Sequence, residues 1–113
     1  MSDPSTRPPV GAMRRRLLLE QPAGTADGIG GETRAYALVA AVWAHVEWLS
    51  GEERWRGGRP EQALSHRISL RWRAGVDAGQ RLRDAAQIFE IRAVADPDGG
   101  RRRLVCLVEE VRP

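Results

Sequence analysis

Residues 66–73 read His-Arg-Ile-Ser-Leu-Arg-Trp-Arg. Ile68, Leu70 and Trp72 fall on one side of a two-residue period, and Arg67, Ser69, Arg71 and Arg73 on the other. Alternation of this kind describes a half-buried strand, with one face on a core and one facing water or a partner. His66 opens the strand on the apolar side, the position of a packed histidine.

Downstream, residues 74–79 (AGVDAG) turn the chain and 80–83 (QRLR) read as a short strand. Residues 86–95 (AQIFEIRAVA) form a further strand candidate, with Phe89, Ile91 and Ala93 on one side. Asp96-Pro97-Asp98-Gly99-Gly100 is a strong hairpin turn. The last strand then runs over 101–112; Leu104 to Val108 are apolar on both faces, as for a central strand or one covered by a neighbouring subunit.

Upstream, residues 14–20 (RRRLLLE) read as a short strand, and 22–33 (PAGTADGIGGET) as a surface loop. Residues 34–49 leave two readings open. Their alanines favour helix, whereas the second half alternates. Val42, Ala44, Val46 and Trp48 share one side, and Trp43, His45 and Glu47 the other. If Trp48 faces the core, Trp43 lies on the polar side, covered by a loop or by another subunit. Ser50 with Glu53 fits a capping box, yet Gly57, Gly58 and Pro60 follow, so 50–64 reads as a helical turn and then an irregular stretch. Residues 1–13, with Pro4, Pro8 and Pro9, read as a disordered arm; Met13 is an alternative start. The expectation is a single mainly-β domain over 14–113. It is a small barrel of five to six antiparallel strands with one short helix or irregular insertion.

Composition narrows the chemistry. The chain has 113 residues, one cysteine and two histidines. That excludes an intrachain disulfide and disfavours a zinc site; neither metal nor cofactor is expected. Every one of the eighteen basic residues is Arg, and Asn is absent, a bias that reads as a GC-rich genome. The net charge of +3 arises from residues 50–113, a mild lean towards anionic partners. The first residues lack the apolar core of a signal peptide, and the run 35–43 is too short to span a bilayer, so no membrane role is expected. Neighbouring carboxylates such as Glu109 and Glu110 point to opposite faces of a strand, which argues against paired acid–base work. Gly28-Ile29-Gly30-Gly31 has neither the strand–helix context nor the Lys of a phosphate cradle. No enzyme is expected.

Three groups of residues stand out as contact candidates. Arg54, Arg56 and Arg59 interleave with Trp55. Such a stretch can face a nucleic-acid backbone or form a protein hot spot. Arg101, Arg102 and Arg103 follow the tight turn, and Trp43 shares its side with His45 and Glu47.

The order of parts resembles the small phage head–tail joining proteins, also called head-closure or stopper proteins. The resemblance covers 13 to about 110. It rests on Met13-Arg14-Arg15-Arg16-Leu17 with Leu19-Glu20-Gln21-Pro22, and on Val42-Trp43-Ala44-His45-Val46-Glu47 with Leu49-Ser50-Gly51-Glu52-Glu53. It continues in Ser65 to Arg73, in Gln87-Ile88-Phe89-Glu90-Ile91, and in Gly99-Gly100-Arg101 leading to Leu104–Glu109. Members tend to carry a continuous helix where this chain has Gly57, Gly58 and Pro60.

The resemblance implies a β-barrel subunit of a homo-oligomeric ring. That ring sits between a portal or adaptor protein on the head side and a tail terminator or tail protein on the other. Double-stranded DNA passes through its lumen and is retained there. On this reading Arg54, Trp55, Arg56 and Arg59 face or gate the lumen, and the 22–33 loop touches the adjacent ring. Trp43, His45, Glu47, Arg101, Arg102 and Arg103 lie at subunit interfaces. The protein would be made in the cytoplasm and then reside in a phage, prophage or gene transfer agent particle. The alternative is a free-standing small β-barrel that binds nucleic acid.

Overall fold

A computed structural model describes residues 14–23, 35–50 and 64–111. These form strands β1 (Arg15–Pro22), β2 (Tyr36–Trp48), β3 (His66–Arg71), β4 (Arg81–Arg83), β5 (Ile88–Ala95) and β6 (Arg103–Val111). They close into one antiparallel barrel in the order β1-β2-β3-β6-β5-β4. The all-sheet class expected from the alternating patterns is therefore observed. The stretch left open between helix and strand is the longest strand, β2, so alternation outweighs alanine propensity there. The helical turn expected after Ser50, and the arm over 1–13, lie outside the described residues.

Inside the barrel, Leu17, Leu19, Ala44, Ile68, Leu70, Leu82, Phe89, Ile91, Leu104, Cys106 and Val108 pack into one buried cluster. The apolar side of residues 66–73 faces inward as the period predicts, with Trp72 partly buried against the cluster. Side chains fill the interior, as in other narrow barrels.

Two sequence expectations need correction. Ala93 does not share the inner face with Phe89 and Ile91. The β5–β6 register shifts between Ile91 and Ala93, so Arg92 is an extra residue, Ala93 faces outward and Val94 packs on the core. Trp48 does not face the core either. It is 71% exposed, because β2 outruns β1 at this end, and its ring rests on His66 at 4.4 Å between centroids. The apolar residue that turns in is the next one, Leu49.

The β5–β6 turn shows its own chemistry. Gly99 takes φ +67°, a region open to Gly without steric cost, and its N–H donates to Asp96 O at 3.1 Å. Arg101 also has a positive φ, 56°, and its N–H donates to the Asp96 carboxylate at 2.9 Å. That bond compensates part of the strain of a non-glycine residue in this region.

Cys106 is fully buried, and burial pushes its thiol up to about 12. Only a thiolate attacks a disulfide reagent. The native chain is therefore expected to resist an aromatic disulfide at pH 8, and to release one thiol equivalent once guanidinium opens the barrel. Rapid labelling of the folded chain would refute the packing described for β6.

Candidate functional site

The interior is a filled core, so the candidate functional surface is the outer wall. Cross-strand partners share a face of the sheet. One line across the wall can be read from the register. Arg16 pairs with Trp43, and Arg71 with Arg103. The step after Ala44↔Leu70 brings Trp43 level with Arg71. Arg16, Trp43, Arg71 and Arg103 thus lie in a row across β1, β2, β3 and β6. Trp43 is 53% exposed, with the Arg16 guanidinium 5.6 Å from its ring centroid. Leu38, also on β2, is 62% exposed.

Arg71 and Arg103 are like charges directly opposite one another, an arrangement that normally costs stability. Among the ion pairs of the described residues, none involves Arg16, Arg71 or Arg103. Nε of Arg103 and of Arg73 are buried without a hydrogen-bond acceptor. The row is therefore basic, and its three guanidiniums lie outside the ion pairs of the described residues.

Elsewhere on the wall, arginines are compensated. Glu20 on β1 accepts from Arg81 Nε at 2.6 Å and lies 2.9 Å from Arg83 Nε, an ion contact whose angle is poor for a hydrogen bond. The Arg81 guanidinium also sits 3.7 Å from the Tyr36 ring centroid. Burial pushes the Glu20 carboxyl up, but the two guanidiniums outweigh it and hold the group below the ordinary carboxylate range. Asp84 accepts from the Arg15 guanidinium at 2.9 and 3.0 Å, and from the N–H groups of Ala86 and Gln87 at 2.9 Å each. Burial again raises its pKa, and these donors bring the net shift below the usual value.

Both carboxyls are depressed on folding, so the unfolded chain binds more protons as the pH drops. Their stabilisation is complete above the ordinary carboxyl range, near pH 4–5, and is lost as pH falls through the folded values. Urea midpoints measured between pH 7 and 3 are expected to fall on the acid side. Glu20→Gln should flatten that fall, and an unchanged slope would contradict the assignment.

Around β5 and β6 the carboxylates are compensated as well, with Glu90 directly opposite Arg81 on β4. Glu90 and Glu109 pair directly across β5 and β6 and share Arg92, at 2.8 and 2.6 Å. Hydrogen bonds to Glu109 and attraction to both acids outweigh the cost of burial and raise the Arg92 pKa. Glu110 is exposed and accepts from Gln87 Nε2 at 3.0 Å.

His66 is 2% exposed between Trp48 and Phe89, with Nδ1 2.7 Å from Ser65 Oγ. The Glu110 N–H donates to the same Oγ at 2.7 Å. The Ser65–His66 pair thus ties the start of β3 to the end of β6 inside the wall.

The residues singled out from sequence are distributed as follows. Trp43, His45 and Glu47 share the outer face of β2, with His45 Nε2 3.8 Å from Glu47 Oε2. Arg103 joins the basic row. Arg101 turns back over the Trp72 ring at 5.4 Å, and the Arg102 carbonyl accepts from Trp72 N–H at 3.1 Å. Arg54, Trp55, Arg56 and Arg59 lie outside the described residues. Sequence reasoning missed Arg16 and Arg71 as members of the row, because it is assembled across four strands. Period two in β3 already placed Arg71 outward, but only the register shows what stands beside it. Among the described residues no three His, Cys, Asp or Glu side chains gather as a metal-ligand set.

A family model described as phage head completion protein matches residues 8–111. Among solved structures, the chain is similar to one from the virion of a native gene transfer agent particle. Identity is 33%, with 93% of this chain and 98% of that chain covered and a TM-score of 0.66. It also shares the fold of protein SF1141 from Shigella flexneri 2a, at 24% identity, 89% and 95% coverage and a TM-score of 0.68. No curated protein matches the sequence.

Proposed function

We infer the function from one premise: this chain belongs to the phage head completion protein family. It is a structural protein of a phage-type particle with a head-completion role. In finer terms, it acts as a stopper, a head–tail connector subunit. Copies form a ring between a portal or adaptor protein and a tail terminator or tail protein, and double-stranded DNA passes through the ring and is retained by it. The role is architectural rather than catalytic. The subunit is made in the cytoplasm and ends in the neck of the particle.

The observation that carries the ring is the filled barrel. Phe89, Leu17, Leu19, Ile68, Leu70 and Leu82 occupy its axis with essentially no exposure. DNA therefore has no path through one subunit, and a channel exists only between several. Within that ring, Arg54, Trp55, Arg56 and Arg59 face or gate the lumen, where glycines nearby permit movement. Trp43, His45, Glu47 and Arg101–Arg103 serve contacts between subunits, and the 22–33 loop meets the adjacent ring. The arm over 1–13 precedes the barrel domain.

Electron microscopy of particles containing the chain is the direct test. A ring at the neck with 50–64 on its inner rim is expected; 50–64 on the outer rim would remove the gating role. The uncompensated row of Arg16, Arg71 and Arg103 also favours a second reading, a free-standing nucleic-acid-binding barrel. Salt-dependent duplex binding by the isolated monomer, with no neck density in particles, would select that reading instead.

A further inference from the structure

We propose that the open edge of β2, residues 36–42, takes up an extended segment of another particle protein as an added strand. An acidic residue of that segment meets Arg71, Arg73 and Arg103, which stand where the edge begins. The proposal rests on the ring reading above and names the chemistry of one partner and the place where it docks.

The register defines the edge. β2 pairs with β1 from Tyr36 to Ala44, but with β3 only from Ala44 to Trp48. β3 ends at Arg71, level with Trp43. Residues 36–42 therefore have a strand on one side only. Among the described residues, no backbone hydrogen bond reaches them from the other side. The Leu49 N–H donates towards β3, to Ser65 O at 3.0 Å. Backbone groups alternate sides along a strand, so those of Glu47, His45, Trp43 and Ala41 turn the same way. Glu47 and His45 meet Arg67 and Ser69 of β3, whereas Ala41 looks past its end.

A row of unpaired N–H and C=O groups is a template for another strand, and edges are commonly guarded by charged side chains, Pro or a bulge. Residues 36–42 (YALVAAV) carry neither charge nor Pro, and the one guard is the extra residue Val39. Leu38, on the outer side of the same stretch, is 62% exposed. Alternating backbone donors and acceptors are matched by an extended polypeptide and not by a nucleic acid.

The arginines give an independent indication. Arg73 and Arg103 each bury Nε without an acceptor, and Arg71 stands opposite Arg103. None of the three enters an ion pair of the described residues. A strand added along 36–42 continues the line of β3, so its end abuts Arg71. A carboxylate there supplies the missing acceptor and offsets the like-charge pair. A second copy fits less well. Its six strands are committed to its own barrel, and edge-to-edge pairing would be two-fold and close at two copies.

Cross-linking identifies the occupant. The full chain carrying photoreactive benzoylphenylalanine in place of Leu38 is assembled into particles, irradiated and digested for mass spectrometry. The expected product joins position 38 to one segment of a different particle protein, with alternating apolar residues and an Asp or Glu. Cross-links to a second copy, to DNA or to no partner overturn the proposal, as does a segment without an acid.

Two further measurements read the edge itself. Exchange of the Ala41 amide in the wild-type chain should slow at least about tenfold in particles relative to the free chain. Equal rates would overturn the proposal. Ala41→Pro removes a donor that has no backbone partner among the described residues, a place where an edge tolerates Pro. Its urea midpoint should stay near wild type while incorporation into particles falls at least about tenfold. Ala41→Val, which keeps the N–H, should incorporate normally. Undiminished incorporation of a folded Ala41→Pro chain refutes the added strand. If that variant does not fold, the cross-link and the exchange rates decide. Electron microscopy separates the two hypotheses. Particles without a neck ring sink the ring reading, whereas a ring whose Ala41 amide exchanges as in the free chain sinks only the added strand.

Discussion

Phe89→Ala is expected to lower the unfolding free energy by about 3–5 kcal/mol. Phe89 is fully buried on β5 and is among the largest side chains in the barrel. Its ring edge meets His66 at 5.0 Å, and the Arg15 guanidinium lies 5.5 Å from its centroid. Truncation therefore leaves a cavity and strips one side of a buried imidazole at once. Small domains have only about 5–15 kcal/mol in total, so the variant sits near its unfolding threshold. A urea titration followed by tryptophan fluorescence would measure the loss. Trp48 packs against His66 with its ring tilted, so its signal should also change in the folded baseline. A loss below about 1 kcal/mol would mean that the barrel end can collapse onto the vacancy, contrary to close packing of its wall.

Glu20→Ala is expected to cost about 2 kcal/mol. Removing one partner of a fully buried ion cluster typically costs ~3–5 kcal/mol, because the remaining charges are left uncompensated. Here the carboxylate is nearly buried, with 7% of its side chain exposed, but Arg81 and Arg83 keep 24% and 35%. Water can rescue part of their charge, which brings the expected cost below the fully buried range. The site matters because of where it lies. β4 is three residues long and is the strand that closes the barrel against β1. Glu20 pairs with Arg81 across that seam. Loss of the cluster should therefore appear first as faster amide exchange in 81–83, ahead of global unfolding. Unchanged exchange there, with a stability loss elsewhere, would show that the seam does not depend on Glu20.

Much of this fold is legible in the sequence where the wall is regular. Residues 66–70 pair on both sides without a register shift, so period two places Ile68 and Leu70 inward and Arg67 and Arg71 on the opposite side, although the small Ser69 on that side is fully covered. The Asp96–Gly100 turn is equally readable, because Gly99 needs a backbone region few other residues accept. Legibility fails at irregularities. In β2 the register slips opposite Leu19/Glu20, so Val39 packs on the core while Leu38 faces out. A run of alanines there carries little directional signal, and helix and strand look alike. Trp48 is misread for a different reason. A large aromatic in alternating register suggests a core residue, but the neighbouring strand has already ended. As for the functional surface, Arg103 was visible as a member of a charge run after a turn. Its relation to Arg16 and Trp43 was not, since those positions meet only when four strands pair.

The extra residue in β5 has an implication for how such a barrel acquires new contacts. Without Arg92 the strand would read Ile88-Phe89-Glu90-Ile91-Ala93-Val94-Ala95, an unbroken alternation with Phe89, Ile91 and Val94 inward. Arg92 thus behaves as an insertion that leaves the core's reading frame untouched. Yet it delivers the one cation that bridges Glu90 and Glu109. A wall of this kind can be edited one residue at a time, with each insertion changing what the outside presents and nothing that the inside packs.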